Sequence, residues 1–290
     1  MTTPESGFAA PPQGGDAGGP AEPVPRRPLE TLIARQDGAV LHLTLNRPEV
    51  RNAMSLAMVL ELRQALAAAE TDGRTRVIML RGAGGHFCAG ADLKDMASAR
   101  LKLAGDPQAL VRTNAAFGDL CGAFAATGLA VVAVLEGTVM GGGFGLACVA
   151  DVALACTSVQ FRLPETSLGI VPAQIAAFLV ERLGYSEARR LAVTGGRLDA
   201  QGALELRLVH AVHPAAALDA AVQEVAAQIL QCAPGAIAAT KALMAKARLH
   251  SPASLVHEAA EIFSVAALGP EGVEGTMAFL QKRKASWVPK

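Results

Sequence analysis

Apolar positions recur along the chain with two rhythms, and the switches between them mark out the elements. Residues 31–35 and 39–45 alternate or run apolar around Asp37-Gly38, which predicts a hairpin. Asn46-Arg47-Pro48 stops its second strand. Ser55 then stands as the N-cap of a helix reaching about residue 70, with Leu56, Val59, Leu60, Leu62 and Leu66 as its buried stripe. A short apolar strand, 77–81, runs into a glycine turn at 82–85 and on to HFCAGADL, 86–93. Residues 94–112 are polar and irregular and read as a mobile loop or a short helix. A helix over 114–127 feeds a second apolar strand, 131–135.

The stretch 131–155 is the one the rest is organised around. Glu136 and Gly137 end its first strand, and Gly141, Gly142 and Gly143 open a small-residue helix over 144–150. Asp151 closes that helix and a strand at 152–155 follows. A strand, a three-glycine turn and a helix start leave backbone N–H groups bare and able to point at a ligand oxygen. Beyond it come a short strand at 160–162, Leu163-Pro164-Glu165, and a loop over 166–172. A helix at 173–183 ends at Gly184, Ser186 caps another at 187–194, and 208–212 is a last strand. From Pro214 the pattern is helical, over 215–230, 234–247, 252–268 and 270–285, with Pro at or near each start. Strand–helix alternation followed by helices predicts an α/β core, 29–213, and a helical C-terminal region, 214–290. Residues 1–28 are a Pro/Gly/Ala-rich tail, expected to be disordered and lacking the apolar run of a signal peptide.

Composition narrows the function. With 26 basic and 26 acidic residues the net charge is zero, so no electrostatic case exists for nucleic acid or an anionic membrane. Aromatics at 4% are too few for base-stacking surfaces. The glycines and the charges of Glu136 and Asp151 argue against a membrane span in the most apolar stretch. Five dispersed cysteines without CxxC spacing read as reduced, buried and structural in a cytoplasmic protein. His210 and His213 share a strand end without a third ligand type, so no metal site is expected.

Two turns rich in glycine follow two buried strands, 82–92 after 77–81 and 139–143 after 131–135. If those strands are parallel neighbours, both turns lie at one end of the sheet, where α/β folds bind ligands. One N–H from each could then converge on one oxygen and stabilise charge developing there. Neither turn has the layout of a phosphate or dinucleotide loop. Alone, the glycine run serves packing as readily as binding. Glu165 adds an acid, stiffened by Pro164. A carboxyl held over an apolar pocket favours its neutral form and can trade protons near neutral pH, although a solvated loop acid fits the same text.

The motifs LNRPEVRNAMS (45–55), HFCAGADLKDM (86–96), EGTVMGGGFGLACVADVALA (136–155), FRLPETSLGIVP (161–172) and MAFLQKRKASW (277–287) agree in order and spacing with one family. Over residues 30–290 the chain resembles the enoyl-CoA hydratase/isomerase (crotonase) superfamily. That resemblance implies a ββα spiral core with a C-terminal helical trimerisation region, assembled as a homotrimer or a dimer of trimers. It implies an acyl-CoA thioester as substrate, with coenzyme A part of the substrate and no separate cofactor. The thioester oxygen would sit between the N–H groups of Ala91 and Gly142, with Glu165 as the acid. Coenzyme A contacts would fall on or near Glu49, Val50, Arg51, Ala89, Asp92, Leu93 and Lys94, with Gly141 beside the hole. Phe279 and Lys282 fit C-terminal positions that approach the nucleotide, often from a neighbouring subunit.

The chain also departs from the family pattern. Two-acid hydratases place a glutamate after GGGx; here that position is Gly145, and Glu165 stands alone. Gln174, in PAQIA, could hold the water that the lost glutamate would have held. Arg162 could bind a second carboxylate on the substrate or simply face solvent. GGGFGLACVADVA with LPETSLGIVPAQIA resembles the isohexenylglutaconyl-CoA hydratases, which act on branched glutaconyl-CoA thioesters. The expected activity is hydration of a conjugated double bond. A double-bond isomerase using Glu165 alone and a non-catalytic acyl-CoA-binding member of the fold are the rivals.

Overall fold

The computed structural model describes residues 29–289; the expected tail, 1–28, lies outside them. β1 (Leu32–Asp37) and β2 (Val40–Leu45) form the expected hairpin, with Gly38 at φ 53° in its turn. Helix α1 (Leu56–Thr71) starts at Ser55, whose side chain accepts the Met58 N–H. It buries Met58, Val59, Leu62, Leu66 and Ala69, whereas Leu56 and Leu60 are exposed. The expected stripe was rotated: the face against the sheet is set by Met58 and Ala69.

The chain then repeats one unit. β3 (Val77–Gly82) joins β2 in parallel, and α2 (Leu93–Leu101) and α3 (Ala109–Ala126) follow. β4 (Ala130–Leu135) pairs with β3, and β5 (Thr138–Met140) leaves for a second sheet before α4 (Gly142–Val149). β6 (Val152–Cys156) pairs with β4, and β7 (Gln160–Arg162) pairs with β5 before α5 (Ala176–Thr194). β8 (Arg197–Asp199) closes the small sheet against β7, and after α6 (Ala200–Glu205) β9 (Ala211–His213) pairs with β6. The large sheet runs β1-β2-β3-β4-β6-β9 and the small one β5-β7-β8. Bridges Met54↔Ala91 and Cys88↔Val139 extend the small-sheet pairing to the ends of the earlier units. A strand in the large sheet, a short extended piece in the small one and a helix back make a ββα spiral. Every residue of β4 is buried, as a strand covered on both faces requires.

Several segments differ from expectation. Most of 94–112 is helix, capped by Asp92, with a short loop between α2 and α3. β5, β8 and α6 carry too few residues for a readable period. Gly184, at φ 75° and ψ 157°, divides α5 into two helical pieces where a helix end is expected, but Ser186 does not cap the second. Leu208 and Val209 are buried before the last strand rather than in it. The remaining helices, α7 (Ala215–Gln231), α8 (Pro234–Ala247), α9 (Pro252–Leu268) and α10 (Pro270–Leu280), follow the proline pattern, although α10 stops at Leu280 rather than running to 285.

One buried polar residue ties the first unit to the second. Asn52, fully buried, donates to the carbonyls of Ala83 (2.9 Å) and His86 (2.6 Å) and accepts the Arg47 N–H (2.8 Å). Asn52→Ala leaves these groups unpaired in the interior. Its expected effect is a loss of about 2–3 kcal/mol in chemical denaturation at unchanged secondary structure.

Candidate active site

The two glycine-containing turns meet at one end of the parallel strands, as their positions after β3 and β4 require. Backbone bonds stitch them together: Phe87 N–H to Glu136 O (2.9 Å), Cys88 N–H to Thr138 O (3.0 Å) and Met140 N–H to Cys88 O (2.9 Å). The first turn is held from its other side by Met54 N–H to Gly90 O (2.7 Å) and Asp92 N–H to Met54 O (3.0 Å). Gly141 has φ 48° and ψ −115°, a conformation that side chains resist. A Cβ there would also stand 2.9 Å from the Glu165 carboxylate oxygen and 3.6 Å from Gly90 Cα. Glycine at 141 is what lets both turns and the acid close on one point.

Ala91, Gly142, Glu165 and Gln174 all line a cavity of about 600 Å³ between α1, α2, α3 and the loop 169–175. Among the described residues neither the Ala91 nor the Gly142 N–H has a hydrogen-bond acceptor within the chain. Gly142 begins α4, whose axis aims its positive end at the same space. Two bare donors beside one carboxyl are the equipment for stabilising an oxyanion and moving a proton next to it.

Glu165 follows β7 through Leu163 and Pro164 and lies in the short helical turn Glu165–Leu168. Its Oε2 is buried and has no hydrogen-bond partner. Burial pushes its carboxyl above the ordinary glutamate value. The other acids of the cavity wall are engaged. Asp92 pairs with Arg47 at 2.8 Å and caps α2 at Lys94 N–H; burial opposes its charge, yet these partners hold its carboxyl below the usual range. Asp95 accepts the Leu56 N–H at 2.6 Å.

The place of the second family acid is filled. A Cβ built on Gly145 would lie 2.3 Å from Ile175 Cγ2 and 3.7 Å from the Phe117 ring. Gln174, next to Ile175, gives its Nε2–H to Asn114 Oδ1 at 2.6 Å. Asn114, Phe117 and Ile175 line the cavity and escaped the sequence reading. The signal for Asn114 was slight: a polar residue one turn before Gly118 on an otherwise apolar helix face.

The other expected contacts spread outward. Ala89 donates its N–H to Arg51 O (2.9 Å) behind the Ala91 turn. Arg51, Leu93 and Lys94 are exposed beside the cavity rather than in its wall. Phe279 and Lys282, at the end of α10, are exposed and do not reach this cavity within one chain. His86 serves structure, its Nδ1 accepting the Thr138 N–H at 3.1 Å. His210 Nδ1 accepts the Ala153 N–H at 2.9 Å, and among the described residues no three His, Cys, Asp or Glu side chains cluster as metal ligands would. All five cysteines are free; Cys232 is exposed rather than buried. Burial pushes the Cys88 thiol up to about 11, which disqualifies it as a nucleophile. Among the described residues no helix is long and apolar enough to cross a membrane.

The spiral fold and this pairing of bare donors with an acid define an acyl-thioester enzyme of the crotonase type. A family model for enoyl-CoA hydratase/isomerase matches residues 35–290, and the chain belongs to that family. It is 34% identical over 257 residues to 2,3-dehydroadipyl-CoA hydratase of Escherichia coli (strain K12), covering 88% of this chain and 96% of that one. Among solved structures it is similar to Pseudomonas aeruginosa AtuE, at 52% identity and TM-score 0.86, covering 90% of this chain and all of that one. An enoyl-CoA hydratase/isomerase from Marinobacter aquaeolei shares 48% identity with the same TM-score and coverage.

Two outcomes follow from the site's packing. Because the folded state raises the Glu165 pKa, its contribution to stability is present at low pH and lost as pH rises. Glu165→Gln should match wild type in melting temperature below the ordinary glutamate value of about 4.5 and exceed it increasingly above, levelling once the folded-state pKa is passed. Gly145→Glu should not restore a two-acid site. It should lose about 2 kcal/mol or more in denaturation through overpacking and a buried charge, and adding Ile175→Ala should recover part of that loss.

Proposed function

We propose that this enzyme hydrates the conjugated double bond of an acyl-CoA thioester with Glu165 as its single acid–base group. The observation that carries the reading is the meeting of Glu165 with the free N–H groups of Ala91 and Gly142 in one cavity. The thioester oxygen accepts both N–H groups. Water gives a proton to the Glu165 carboxylate as its oxygen bonds to the β-carbon, and the π electrons move onto the thioester oxygen. The enolate then takes that proton back from Glu165 at the α-carbon, giving the 3-hydroxyacyl thioester. One water is consumed and Glu165 ends as it began. Donors fixed in backbone stabilise the enolate without reorganisation. Gln174 holds the water.

Coenzyme A runs out over Arg51, Ala89, Asp92, Leu93 and Lys94, with Gly141 behind the hole, and no further cofactor takes part. The acyl group is of the branched glutaconyl type, isohexenylglutaconyl- or methylglutaconyl-CoA. The width of the cavity and its largely apolar wall, with Val59, Met96, Leu110 and Ile170, support a branched tail. The assembly is a homotrimer or a dimer of trimers, in which Phe279 and Lys282 approach a neighbour's nucleotide. Phe263, Leu268 and Phe279, each at least 74% exposed on α9 and α10, support burial against other copies. Free cysteines suit a reducing, cytoplasmic setting.

A second reading, a double-bond isomerase, is favoured by one fact: among the described residues Glu165 is the only cavity carboxyl without a partner. Turnover of an enoyl-CoA panel including 3-methylglutaconyl-CoA in heavy-oxygen water, followed by mass spectrometry, separates the readings. Label in the product supports hydration, unlabelled shifted double bonds support isomerisation, and binding without turnover marks a non-catalytic member. Glu165→Gln is expected to lower kcat by about 10³-fold or more while saturated acyl-CoA binding is retained; a near-normal rate would overturn the mechanism.

A further inference from the structure

Gln174 reaches the cavity from a turn, and a turn alone does not hold a flexible side chain. α3 does that from across the cavity. Asn114 Oδ1 takes the Gln174 Nε2–H at 2.6 Å. One helical turn on, at Gly118, a Cβ would lie 2.0 Å from Gln174 Oε1, 2.8 Å from Cδ and 3.4 Å from Cγ. The carbonyl end of the amide therefore rests against bare helix backbone that only glycine leaves open. Asn114 and Gly118 are four residues apart, so they share one helix face. Among the described residues Gln174 Oε1 accepts no hydrogen bond.

Other polar side chains of the wall already have partners within the chain. Ser55 caps α1, Thr113 donates to Ala109 O at 2.9 Å, and the two aspartates are engaged as described. An attacking water has two hydrogens and needs an acceptor for each: one leaves to Glu165, the other must be held. With Ile175 filling the space above Gly145, Gln174 Oε1, which accepts nothing among the described residues, is a free acceptor for the second.

We infer that Asn114 and Gly118 are positioning residues that aim the Gln174 carbonyl at the attacking water, an arrangement that replaces the second carboxylate. The inference rests on the single-acid hydration reading. It changes no bond beyond those of that reaction: the water's second O–H donates to Gln174 Oε1 and stays on the product oxygen.

The test splits water addition from proton transfer. Wild type, Gly118→Ala, Asn114→Ala and Asn114→Asp are compared for heavy-oxygen incorporation into 3-methylglutaconyl-CoA. They are also compared for solvent deuterium exchange at the α-carbon of hexanoyl-CoA, which needs Glu165 and the two N–H donors but no attacking water. Alanine is the better helix former, so Gly118→Ala should keep or raise the melting temperature. Its kcat for incorporation should nevertheless fall about 10²-fold at little-changed KM, with deuterium exchange retained. Asn114→Ala should behave alike, and Asn114→Asp, which keeps the acceptor for Nε2–H, should recover most of the rate. Unchanged incorporation in both alanine variants, or equal loss of both signals, would overturn the inference. Glu165→Gln retaining both signals would instead overturn the hydration reading beneath it.

Discussion

The site depends on the contact between two backbone turns. Strands β3 and β4 are neighbours, but their ends would diverge without the bonds from Phe87, Cys88 and Met140 that carry pairing past the sheet. Those bonds fix the separation of the Ala91 and Gly142 N–H groups, one on each turn. Acting as the proposed oxyanion hole, donors placed this way would have no rotamer to lose when charge develops, which is the advantage of backbone over side-chain donors. This placement also makes their spacing a property of the fold. Asn52 and the Arg47–Asp92 pair brace the first turn, and the edge-to-face packing of Phe144 on Phe161, centroids 5.5 Å apart, braces the helix beneath the second.

Onto that frame the chain places one carboxyl in apolar surroundings. An unpartnered buried Oε2 is expensive in a folded protein, and it persists because Pro164 and β7 hold the chain while Gly141 makes room. Raised affinity for a proton is what a group that takes and returns one needs. Where relatives of the two-acid kind put a second glutamate, Ile175 and Phe117 close the space over Gly145. The chemistry of the second acid therefore has to come from a neutral group or not be needed.

Much of this was legible in the residues. The apolar runs of β3 and β4 and the glycines after them pointed to two turns at one sheet end, whereas Glu165 stood out from a solvated loop acid only through the family resemblance. The three-residue β7 was legible beside Leu163-Pro164, but β5 and β8 were not, because three residues carry no period; both exist through pairing, not propensity. Leu56 and Leu60 looked buried because leucine on a helix usually is, but the sheet presents its surface to Met58 and Ala69 instead. Asn114 was invisible for a different reason. Its meaning lies in the turn sixty residues on that packs against it, and nothing local in α3 encodes that turn. The cavity wall was in general less readable than the hole, since wall residues are chosen by what stands opposite them.

Three glycines then share one physical logic. At 141 the missing side chain admits the acid, at 145 it admits Ile175, and at 118 it admits the amide of Gln174. Gly145 and Gly118 lie within helices, where glycine weakens the helix relative to alanine by about 1 kcal/mol each. Such a penalty at two helical positions is explained by what each would otherwise strike, Ile175 at 145 and Gln174 at 118. Both penalties become intelligible if the neighbouring side chains matter more than the helices they lean on. Ile175 and Gln174 are adjacent in sequence, one apolar and one polar, and each is seated on its own bare patch of helix. The turn that carries them thus sets an apolar and a polar part of the cavity wall together, so that a change at either glycine displaces the turn and alters both.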